Sequence, residues 1–194
     1  MIILNILWDF DGTLFDTYPA LVDGFIKLSQ RDLDRREVLK WLKIDSLTAF
    51  KHYGIDETER AEYKRIDKQF SKEFSKPFEH LERVLGAVEN NIIVTHRDME
   101  STTYLLEKYH LSHFFKEIVS VEEQGFNRKP HPASYEHVLK KYHIDLVVGD
   151  RELDLLPARK LGIKTLAFQN QNIEADFHLE SYEGFIPLIV NNKF

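Results

Sequence analysis

Apolar and polar positions divide this chain into two regions of different character. The first begins with a continuous apolar run, Ile2–Trp8, which predicts a strand buried on both faces, as the strands of parallel sheets are. From Phe15 to Phe78 no run of that kind occurs, and apolar positions such as Leu21 and Phe25 recur at helical spacing. We therefore predict a helical insert, residues 16–78, between the first strand and the rest of the chain.

Local signals mark two of the helices in this insert. Ser46 is a candidate cap for a short helix that ends at Gly54, the residue type preferred just past a helix end. Asp56 with Glu59 three residues later predicts a capping box, which opens a long amphipathic helix. Trp41 belongs either to the packed interior of the insert or to a substrate lid, and the sequence leaves both interpretations open.

Beyond residue 78 the predicted helices and strands alternate. In order they are a helix marked by Leu81, Val84, Leu85 and Val88, the strand Asn91–Thr95, the helix Met99–Tyr109, the strand Glu117–Val121, a helix opened by Pro132, the strand Leu146–Val148, the helix Leu155–Leu161 and the strand Lys164–Phe168. This alternation predicts an α/β fold, in which residues 1–15 and 79–194 form a Rossmann-like parallel sheet flanked by helices. The tail from Gln169 is polar at first and then apolar around Ile186–Val190, and it is predicted to add either a helix or an edge strand.

The composition is that of an ordinary globular protein and narrows the classes of partner. Of the 194 residues, 43% are hydrophobic and 30% are charged, which suffices for a packed core. The formal net charge of -6 argues weakly against nucleic acid or an anionic membrane as partner. The lack of Cys excludes disulfides and thiolate metal sites. Because no signal-peptide pattern or membrane-length apolar run occurs, we expect a cytoplasmic protein, and its oligomeric state is not predicted.

Residues that could carry chemistry follow the ends of the predicted strands. Asp9 and Asp11 follow the first strand, Thr95-His96-Arg97 follow the second, Arg128-Lys129-Pro130 lie after the third, and Gly149–Asp154 end the fourth. Open α/β sheets bind ligands beyond the carboxyl ends of their strands, so we expect these four groups to converge on one crevice. Acids two residues apart in extended backbone point the same way, and Gly12 allows the chain to turn behind them.

Each of these residues also has a purely structural interpretation. Thr95 and Asp150 are ordinary helix caps, Lys129 is an ordinary solvated loop charge, and Asp154 fits a first helical turn that faces water. The Asp-x-Asp-Gly stretch is also typical of surface turns, whereas a calcium loop is excluded because Leu14 stands where such loops need Gly. Taken singly, the structural interpretations are favoured. The joint occurrence of these residues at four strand ends, however, favours a shared site.

In these motifs the chain resembles the haloacid dehalogenase-like superfamily, specifically its phosphatase branch with a helical cap inserted after the first strand. The matching residues are Asp9–Thr17 (Asp-Phe-Asp-Gly-Thr-Leu-Phe-Asp-Thr), Thr95, Lys129–Pro130 and Gly149–Asp154. The likeness covers Ile3–Phe168 and includes the placement of the insert. Its most specific part is the first motif.

The resemblance implies a role for each acid of the early motif. Asp9 would be the nucleophile that forms an aspartyl-phosphate, and Asp11 would protonate the leaving alcohol and then deprotonate the attacking water. Asp9, Asp150 and the backbone carbonyl of Asp11 would bind Mg²⁺, a hard ion that prefers oxygen ligands. The ion would shield the repulsion between this carboxylate and an incoming phosphate.

The residues that hold the phosphate come from the later motifs. Thr95 and Lys129 would hold the transferring phosphoryl group, and Asp154 would orient Lys129 or a metal-bound water. His96, where relatives often have Asn or Gly, either reaches the leaving group of the bound phosphate or is a packing residue. Three neighbouring arginines are interpreted as solvated surface charge or, alternatively, as contacts for a second anionic group: Arg97, Arg128 and Arg151.

The function implied by the resemblance is that of a Mg²⁺-dependent phosphatase acting on a small phosphorylated metabolite. Dehalogenase chemistry in the same fold does not need an acid–base Asp two residues after the nucleophile, so Asp11 argues against it. A sugar phosphomutase shares the catalytic set and stays an alternative, although the insert lacks the Arg-Gly signature of the mutases. From a different class, a non-enzymatic phosphoacceptor or binding module is the remaining alternative.

Overall fold

The structure, a computed structural model, describes residues 2–192, apart from the side chains of Ile2, Ile3, Glu57 and Asn192. In chain order the strands are β1 (Ile2–Trp8), β2 (Phe15–Asp16), β3 (Lys76–Pro77), β4 (Val88–Thr95), β5 (Phe115–Ser120), β6 (Leu146–Gly149), β7 (Lys164–Phe168) and β8 (Phe177–Leu179). The helices are α1 (Tyr18–Ser29), α2 (Arg35–Ile44), α3 (Ser46–Tyr53), α4 (Glu57–Phe74), α5 (Leu81–Leu85), α6 (Met99–Lys108), α7 (Ala133–Leu139), α8 (Glu152–Lys160) and α9 (Phe185–Asn192).

A parallel sheet of six strands, in the order β5-β4-β1-β6-β7-β8, forms the middle of the first compact unit. This sheet unit contains the chain up to Phe15 and from Pro77 onward. The strand β1 is central, and Trp8 at its end is level with Ile93 of β4 and Val148 of β6. Because the strands run in the same direction, the residues that follow β1, β4 and β6 emerge at one edge of the sheet.

The two faces of the sheet bury separate apolar layers. Side chains alternate along β1, so that Leu4, Ile6 and Trp8 join one layer and Leu7 joins the other. Helices α5, α6 and α9 contribute to the first layer, and α7 and α8 contribute to the second. Both faces of the central strands are therefore buried, which explains why their sequences are apolar runs. The predicted α/β fold, a parallel sheet flanked by helices, is confirmed.

The second compact unit, Asp16–Lys76, is built from α1 to α4, and we call it the helical unit. Within it α1 packs against α4 and α2, and α2 packs against α3. The interior is aromatic, with the rings of Phe25 and Phe50 stacked at 6.0 Å between centroids. Trp41 lies partly buried at the margin of this interior, stacked on His52 at 4.1 Å.

Two differences between the predicted and the observed elements have a clear physical reason. The helix predicted to include Val88 ends at Leu85, and Val88 instead belongs to β4, level with Ile2 of β1. Its apolar side chain satisfies the helical spacing of the residues before it, although the chain has already left the helix. The strands β2 and β3 lie in a region predicted to contain none, because two residues are too few to show a period.

The helix caps of the helical unit are largely those predicted. Asp45, not Ser46, caps α3, because its side chain accepts a backbone N–H of the first turn. Gly54 ends this helix with a φ of 65°, the left-handed conformation that glycine adopts without strain. The capping box of Asp56 and Glu59 is confirmed, with each side chain accepting the backbone N–H of the other residue.

The last part of the chain contains both of the elements that its pattern left open. The strand β8 adds to the edge of the sheet beside β7, and the apolar stretch Ile186–Val190 lies in α9. Within residues 2–192 no helix combines the length and the apolar character that crossing a bilayer requires.

Candidate active site

The loop after β1 holds Asp9 in a fixed position. The backbone N–H of Asp9 donates to the carbonyl of Val148 at 2.9 Å, so pairing with β6 continues up to this residue. Gly12 then turns the chain with a φ of 77°, and the rings of Phe10 and Phe15 stack at 4.7 Å inside the loop. The carboxylate of Asp9 is consequently buried at the carboxyl edge of the sheet.

Lys129 comes from the segment between β5 and α7 and reaches this carboxylate. Its ammonium nitrogen lies 2.6 Å from Asp9 Oδ1 and 2.6 Å from Asp154 Oδ1, and it also donates to the Val94 carbonyl at 3.1 Å. Burial alone would lower the pKa of Lys129, but the charges of Asp154 and Asp9 outweigh burial and raise it. Lys129 is therefore a permanent cation, completely enclosed, and not the solvated loop charge of the alternative interpretation.

A second carboxylate group faces Asp9 from the end of β6 and the start of α8. Carboxylate oxygens of Asp9, Asp150 and Asp154 all lie within 4.8 Å of one another, and all three side chains are buried. Burial, reinforced by Asp154, raises the pKa of Asp9 to about 7, although Lys129 opposes the shift. Burial would also raise the pKa of Asp154, but the cations Lys129 and Arg151 lower it.

This donor set fits a hard divalent cation. Among the residues that the structure describes, Lys129 and Arg151 are cations that pair with these three carboxylates, which leaves an excess of negative charge in a buried place. Oxygen-only ligands favour Mg²⁺ or Ca²⁺ over softer metals. The cluster contains Asp154, which was predicted to support the site, and lacks the side chain of Asp11, whose predicted metal contact is through its backbone carbonyl.

Gly149 explains how the last acid fits so close to the sheet. A Cβ added at Gly149 would stand 2.5 Å from Cβ of Asp154, a distance that side-chain carbons do not adopt. Any other residue at the end of β6 would therefore force either the strand end or Asp154 to shift. The glycine of the Gly-Asp-x-x-x-Asp motif is therefore explained by its close packing against Asp154.

Asp11 is paired with Arg97, a partner that the sequence did not predict. Its Oδ1 accepts two hydrogen bonds from Arg97, at 2.9 Å from Nε and 2.7 Å from Nη2. The Arg97 side chain is only 5% exposed and that of Asp11 19%. The interpretation of Arg97 as solvated charge is wrong, because its guanidinium lies inside the protein against this carboxylate.

Thr95 ends β4 beside the same cluster and is buried. Its hydroxyl accepts the backbone N–H of Arg97 at 3.0 Å, while the following helix, α6, is capped by Asp98. The structural interpretation of Thr95 as a helix cap is therefore wrong. A hydroxyl that accepts one hydrogen bond keeps its own O–H to donate, so Thr95 is still able to bind an anion.

His96 holds the backbone of the lysine segment. Its Nε2 accepts the backbone N–H of Lys129 at 2.9 Å, and Nδ1 lies 3.3 Å from Nη2 of Arg128. Burial, together with the charges of Lys129 and Arg128, lowers the pKa of His96 to about 2. The imidazole is neutral, which matches its role as an acceptor. Arg128 is half-exposed and pairs with Glu122, so it keeps the solvated character expected of it.

Two buried tyrosines support the acidic loops, and the sequence did not predict either of them. The hydroxyl of Tyr135 in α7 donates to the carbonyl of Asp154 at 2.7 Å. That of Tyr182, in the short 3-10 helix before α9, donates to the carbonyl of Thr13 at 2.9 Å. Tyr135 belongs to the helix that follows Pro132, and Tyr182 lies in a later stretch; neither is part of a recognised motif.

The predicted site residues thus separate into two adjoining groups. One is the acid–lysine cluster of Asp9, Lys129, Asp150 and Asp154. The other is the pair Asp11–Arg97, in which Arg97 is also bound to Thr95, and it is joined to the first group by the two-residue step from Asp9 to Asp11. All of them lie at or after the carboxyl ends of β1, β4, β5 and β6, so the convergence expected from the strand-end rule occurs.

Comparison with known proteins places this arrangement in a family. A sequence model of the haloacid dehalogenase-like hydrolases matches residues 6–168, which include every site residue named above except Tyr182. The pyrophosphatase PpaX of Oceanobacillus iheyensis is 26% identical over 212 residues, covering 97% of this chain and 98% of that protein.

Solved structures show the same fold. A HAD-superfamily hydrolase of subfamily IA from Geobacter sulfurreducens superposes with a TM-score of 0.73 at 22% identity, covering 96% of each chain. A predicted phosphoglycolate phosphatase from Haemophilus somnus gives a TM-score of 0.79 at 20% identity, covering 96% of this chain and 97% of that one. At these identities the likeness establishes the architecture, and the chemistry rests on the side chains themselves.

Proposed function

This chain belongs to the haloacid dehalogenase-like hydrolases, and we propose that it is a Mg²⁺-dependent phosphatase that releases phosphate from a small phosphorylated metabolite. The observation that carries the proposal is the buried acid–lysine cluster, in which Lys129 bridges Asp9 and Asp154 with 2.6 Å contacts. Ion pairs buried this deeply contribute little net stability, so their presence favours a chemical role.

In the first half of the reaction, an Asp9 carboxylate oxygen attacks the phosphorus of the substrate. A new bond forms between this oxygen and phosphorus, and the bond from phosphorus to the leaving oxygen breaks. The leaving oxygen takes a proton from Asp11, which becomes a carboxylate. The product is the free alcohol, or a phosphate if the leaving group is itself a phosphate, and Asp9 carries the phosphoryl group.

In the second half, water attacks the phosphorus of the aspartyl-phosphate and gives a proton to the Asp11 carboxylate. The bond between phosphorus and the Asp9 oxygen breaks, inorganic phosphate leaves, and both aspartates return to their starting states. Acid–base help of this kind typically contributes roughly 10²–10⁴-fold to the rate. The two-residue spacing of Asp9 and Asp11 supports this division of roles.

The transferring phosphoryl group is held by the Thr95 hydroxyl and the Lys129 ammonium. Lys129 stays charged because two carboxylates raise its pKa, so its positive charge is always present beside Asp9. His96 contributes by fixing the backbone of Lys129 and not by proton transfer, because its lowered pKa keeps the ring neutral. Preorganised charge of this kind stabilises a transition state without rearrangement.

Asp9, Asp150 and the backbone carbonyl of Asp11 would hold Mg²⁺, with Asp154 beside them. The ion would neutralise the negative charge that otherwise repels an anionic substrate from Asp9. Because the pKa of Asp9 is raised to about 7, this carboxyl is partly protonated at neutral pH, and a bound cation favours the ionised form that attacks phosphorus.

The names of the relatives suggest two kinds of substrate, pyrophosphate and a phosphorylated organic acid such as phosphoglycolate. We propose that the helical unit acts as the cap domain that selects between them. A cytoplasmic setting and the absence of nucleic acid and membrane partners belong to the same proposal, supported by the negative net charge and the lack of Cys.

The test is phosphate release from a panel that contains pyrophosphate, phosphoglycolate, sugar phosphates and p-nitrophenyl phosphate, each with and without Mg²⁺. Asp9→Asn is the blank, and Asp145→Asn is the control that loses an acid elsewhere: Asp145 is partly buried, pairs with the exposed His143 and accepts the Asn5 N–H, which the amide oxygen of Asn can still accept. We expect continuous Mg²⁺-dependent turnover by wild type and Asp145→Asn only. Transfer without phosphate release would indicate a phosphomutase, and a single stable phosphorylation would indicate a phosphoacceptor; either result would overturn the proposal.

A further inference from the structure

Arg97 is a buried cation whose side chain is directed at one carboxylate. Its guanidinium donates twice to Asp11 Oδ1, at 2.9 and 2.7 Å, and is 5% exposed. Burying a guanidinium is unfavourable unless it is paired and hydrogen-bonded, so this position is a specific one. The phosphatase mechanism described above uses Asp11 and gives Arg97 no part.

The backbone of Arg97 is fixed on both sides. Its N–H donates to the Thr95 hydroxyl at 3.0 Å, and its carbonyl accepts the hydroxyl of Ser120 at 3.0 Å. The guanidinium carbon also lies 5.8 Å from the centroid of the Phe10 ring, a cation–π distance. These contacts tie Arg97 to the ends of β4 and β5, so the arginine is the rigid partner and Asp11 is the one that it orients.

The two hydrogen bonds fix one oxygen of the carboxyl. Both end on Oδ1, so they hold this oxygen against Arg97 and restrict rotation of the Asp11 carboxyl group. The two oxygens of a carboxyl are rigidly linked, so fixing Oδ1 also fixes where Oδ2 lies. Arg97 therefore sets the position of the oxygen that faces a reacting group.

We propose that Arg97 is a positioning residue that holds Asp11 for proton transfer in both halves of the reaction. In the first half the proton on Oδ2 passes to the oxygen that leaves phosphorus, and in the second half Oδ2 takes a proton from the attacking water. This inference rests on the proposed phosphatase function. Without Arg97 the Asp11 side chain rotates freely and protonates the leaving oxygen less often.

The experiment measures kcat/KM for a series of aryl phosphates from p-nitrophenyl to p-methoxyphenyl phosphate. These substrates have similar shapes, and the leaving phenol becomes more basic along the series, so the need for an acid grows. Arg97→Met is compared with wild type, with Arg97→Lys, which keeps a donor cation, and with Arg83→Met, a matched loss of an exposed arginine in α5. Circular dichroism confirms that each variant is folded.

We expect Arg97→Met to lose about tenfold in kcat/KM on p-methoxyphenyl phosphate and less than about twofold on p-nitrophenyl phosphate, which fits lost acid catalysis. Arg97→Lys should give an intermediate result, and Arg83→Met should follow wild type. If Arg97 acts through Asp11, adding Arg97→Met to Asp11→Asn should cause no further selective loss.

Equal losses on all the aryl phosphates would overturn the inference, because they indicate a structural or substrate-binding role for Arg97. A further selective loss in the Asp11→Asn background would overturn it as well. In both cases wild type still turns over and the phosphatase proposal stands. If wild type releases no phosphate from any member of the series or of the metabolite panel, the phosphatase proposal fails, and this inference fails with it.

Discussion

The helical unit and the sheet unit each enclose an apolar core, but they bury different polar side chains. Among the residues whose burial is described, those buried in the helical unit are uncharged: Thr17, Ser71 and Ser75. The sheet unit also buries five charged residues, all at the carboxyl edge of the sheet: Asp9, Arg97, Lys129, Asp150 and Asp154.

This difference separates the apolar contacts that stabilise the fold from the buried charges that could serve catalysis. The aromatic interior of the helical unit is stabilised by apolar burial, which needs no partner and is favourable in itself. Replacing a buried ion pair by apolar residues of the same size is often neutral or stabilising, so stability does not explain the cluster in the sheet unit. Substitutions in the two units should therefore affect different properties, and four experiments test this.

The largest expected effect is on turnover, from Asp9→Asn. The amide keeps the shape of the carboxylate but is not a nucleophile, so we expect kcat to fall by roughly 10⁴-fold or more, as for other covalent nucleophiles. Because the variant removes a buried negative charge, its urea unfolding midpoint should be equal to or above that of wild type. Residual turnover above about 1% of wild type would contradict the assignment of Asp9 as nucleophile.

The second effect is on both stability and turnover, from Lys129→Met. The variant keeps the side-chain length but leaves Asp9 and Asp154 buried without their shared cation. We expect the free energy of unfolding in urea to fall by about 3–5 kcal/mol, with part of the loss recovered at saturating Mg²⁺. Lys141→Met, which removes an exposed lysine paired with Glu117, should change stability by less than about 1 kcal/mol. Similar losses in the free energy of unfolding of the two variants would contradict the expected difference between buried and exposed charges.

The third effect lies in the helical unit and concerns stability alone. Phe25→Leu removes the ring that stacks on Phe50 and meets Tyr63 edge-on, which should cost about 2 kcal/mol. We expect kcat with p-nitrophenyl phosphate to stay within about threefold of wild type, measured where the variant is fully folded. A loss of turnover well beyond threefold would show that this interior is more than a structural core.

The same contrast explains how far the sequence predicts the structure. Strands β6 and β7 were predicted almost to the residue, because burial on both faces produces apolar runs that few other elements produce. Val88 was misassigned because one apolar residue satisfies a helical and an extended pattern equally well. Strands of two residues, such as β2, are set by backbone pairing and show no periodicity.

The site follows a similar division. The strand-end rule was enough to bring Asp9, Lys129 and Asp150 together, because topology alone decides which loops meet. The pairing of Arg97 with Asp11 joins residues 86 positions apart, and an arginine in a loop has the same sequence appearance whether it is buried or solvated. The role of Tyr182 was not predicted for the same reason, since its hydroxyl donates to the carbonyl of Thr13, 169 positions away.

The smallest expected effect concerns the pH dependence of stability and comes from His96. Burial and the charges of Lys129 and Arg128 lower the pKa of this imidazole from 6.5 to about 2 in the folded protein. Below pH 6.5 the His96 imidazole therefore binds a proton in the unfolded chain but not in the native state. The stability that His96 contributes is complete above this pH and is lost as the pH falls toward 2.

The comparison uses His96→Gln, whose amide oxygen can still accept the Lys129 N–H that Nε2 accepts at 2.9 Å in the native protein. One proton taken up only by the unfolded chain is worth about 1.4 kcal/mol per pH unit. The free energy of unfolding in urea should therefore fall by about 1 kcal/mol less in the variant than in wild type between pH 7 and pH 5.5. His113→Gln, at an exposed position, is the matched control and should decline as wild type does. Parallel declines in His96→Gln and wild type would mean that His96 takes up its proton in the folded state as readily as in the unfolded chain, which would contradict its lowered pKa.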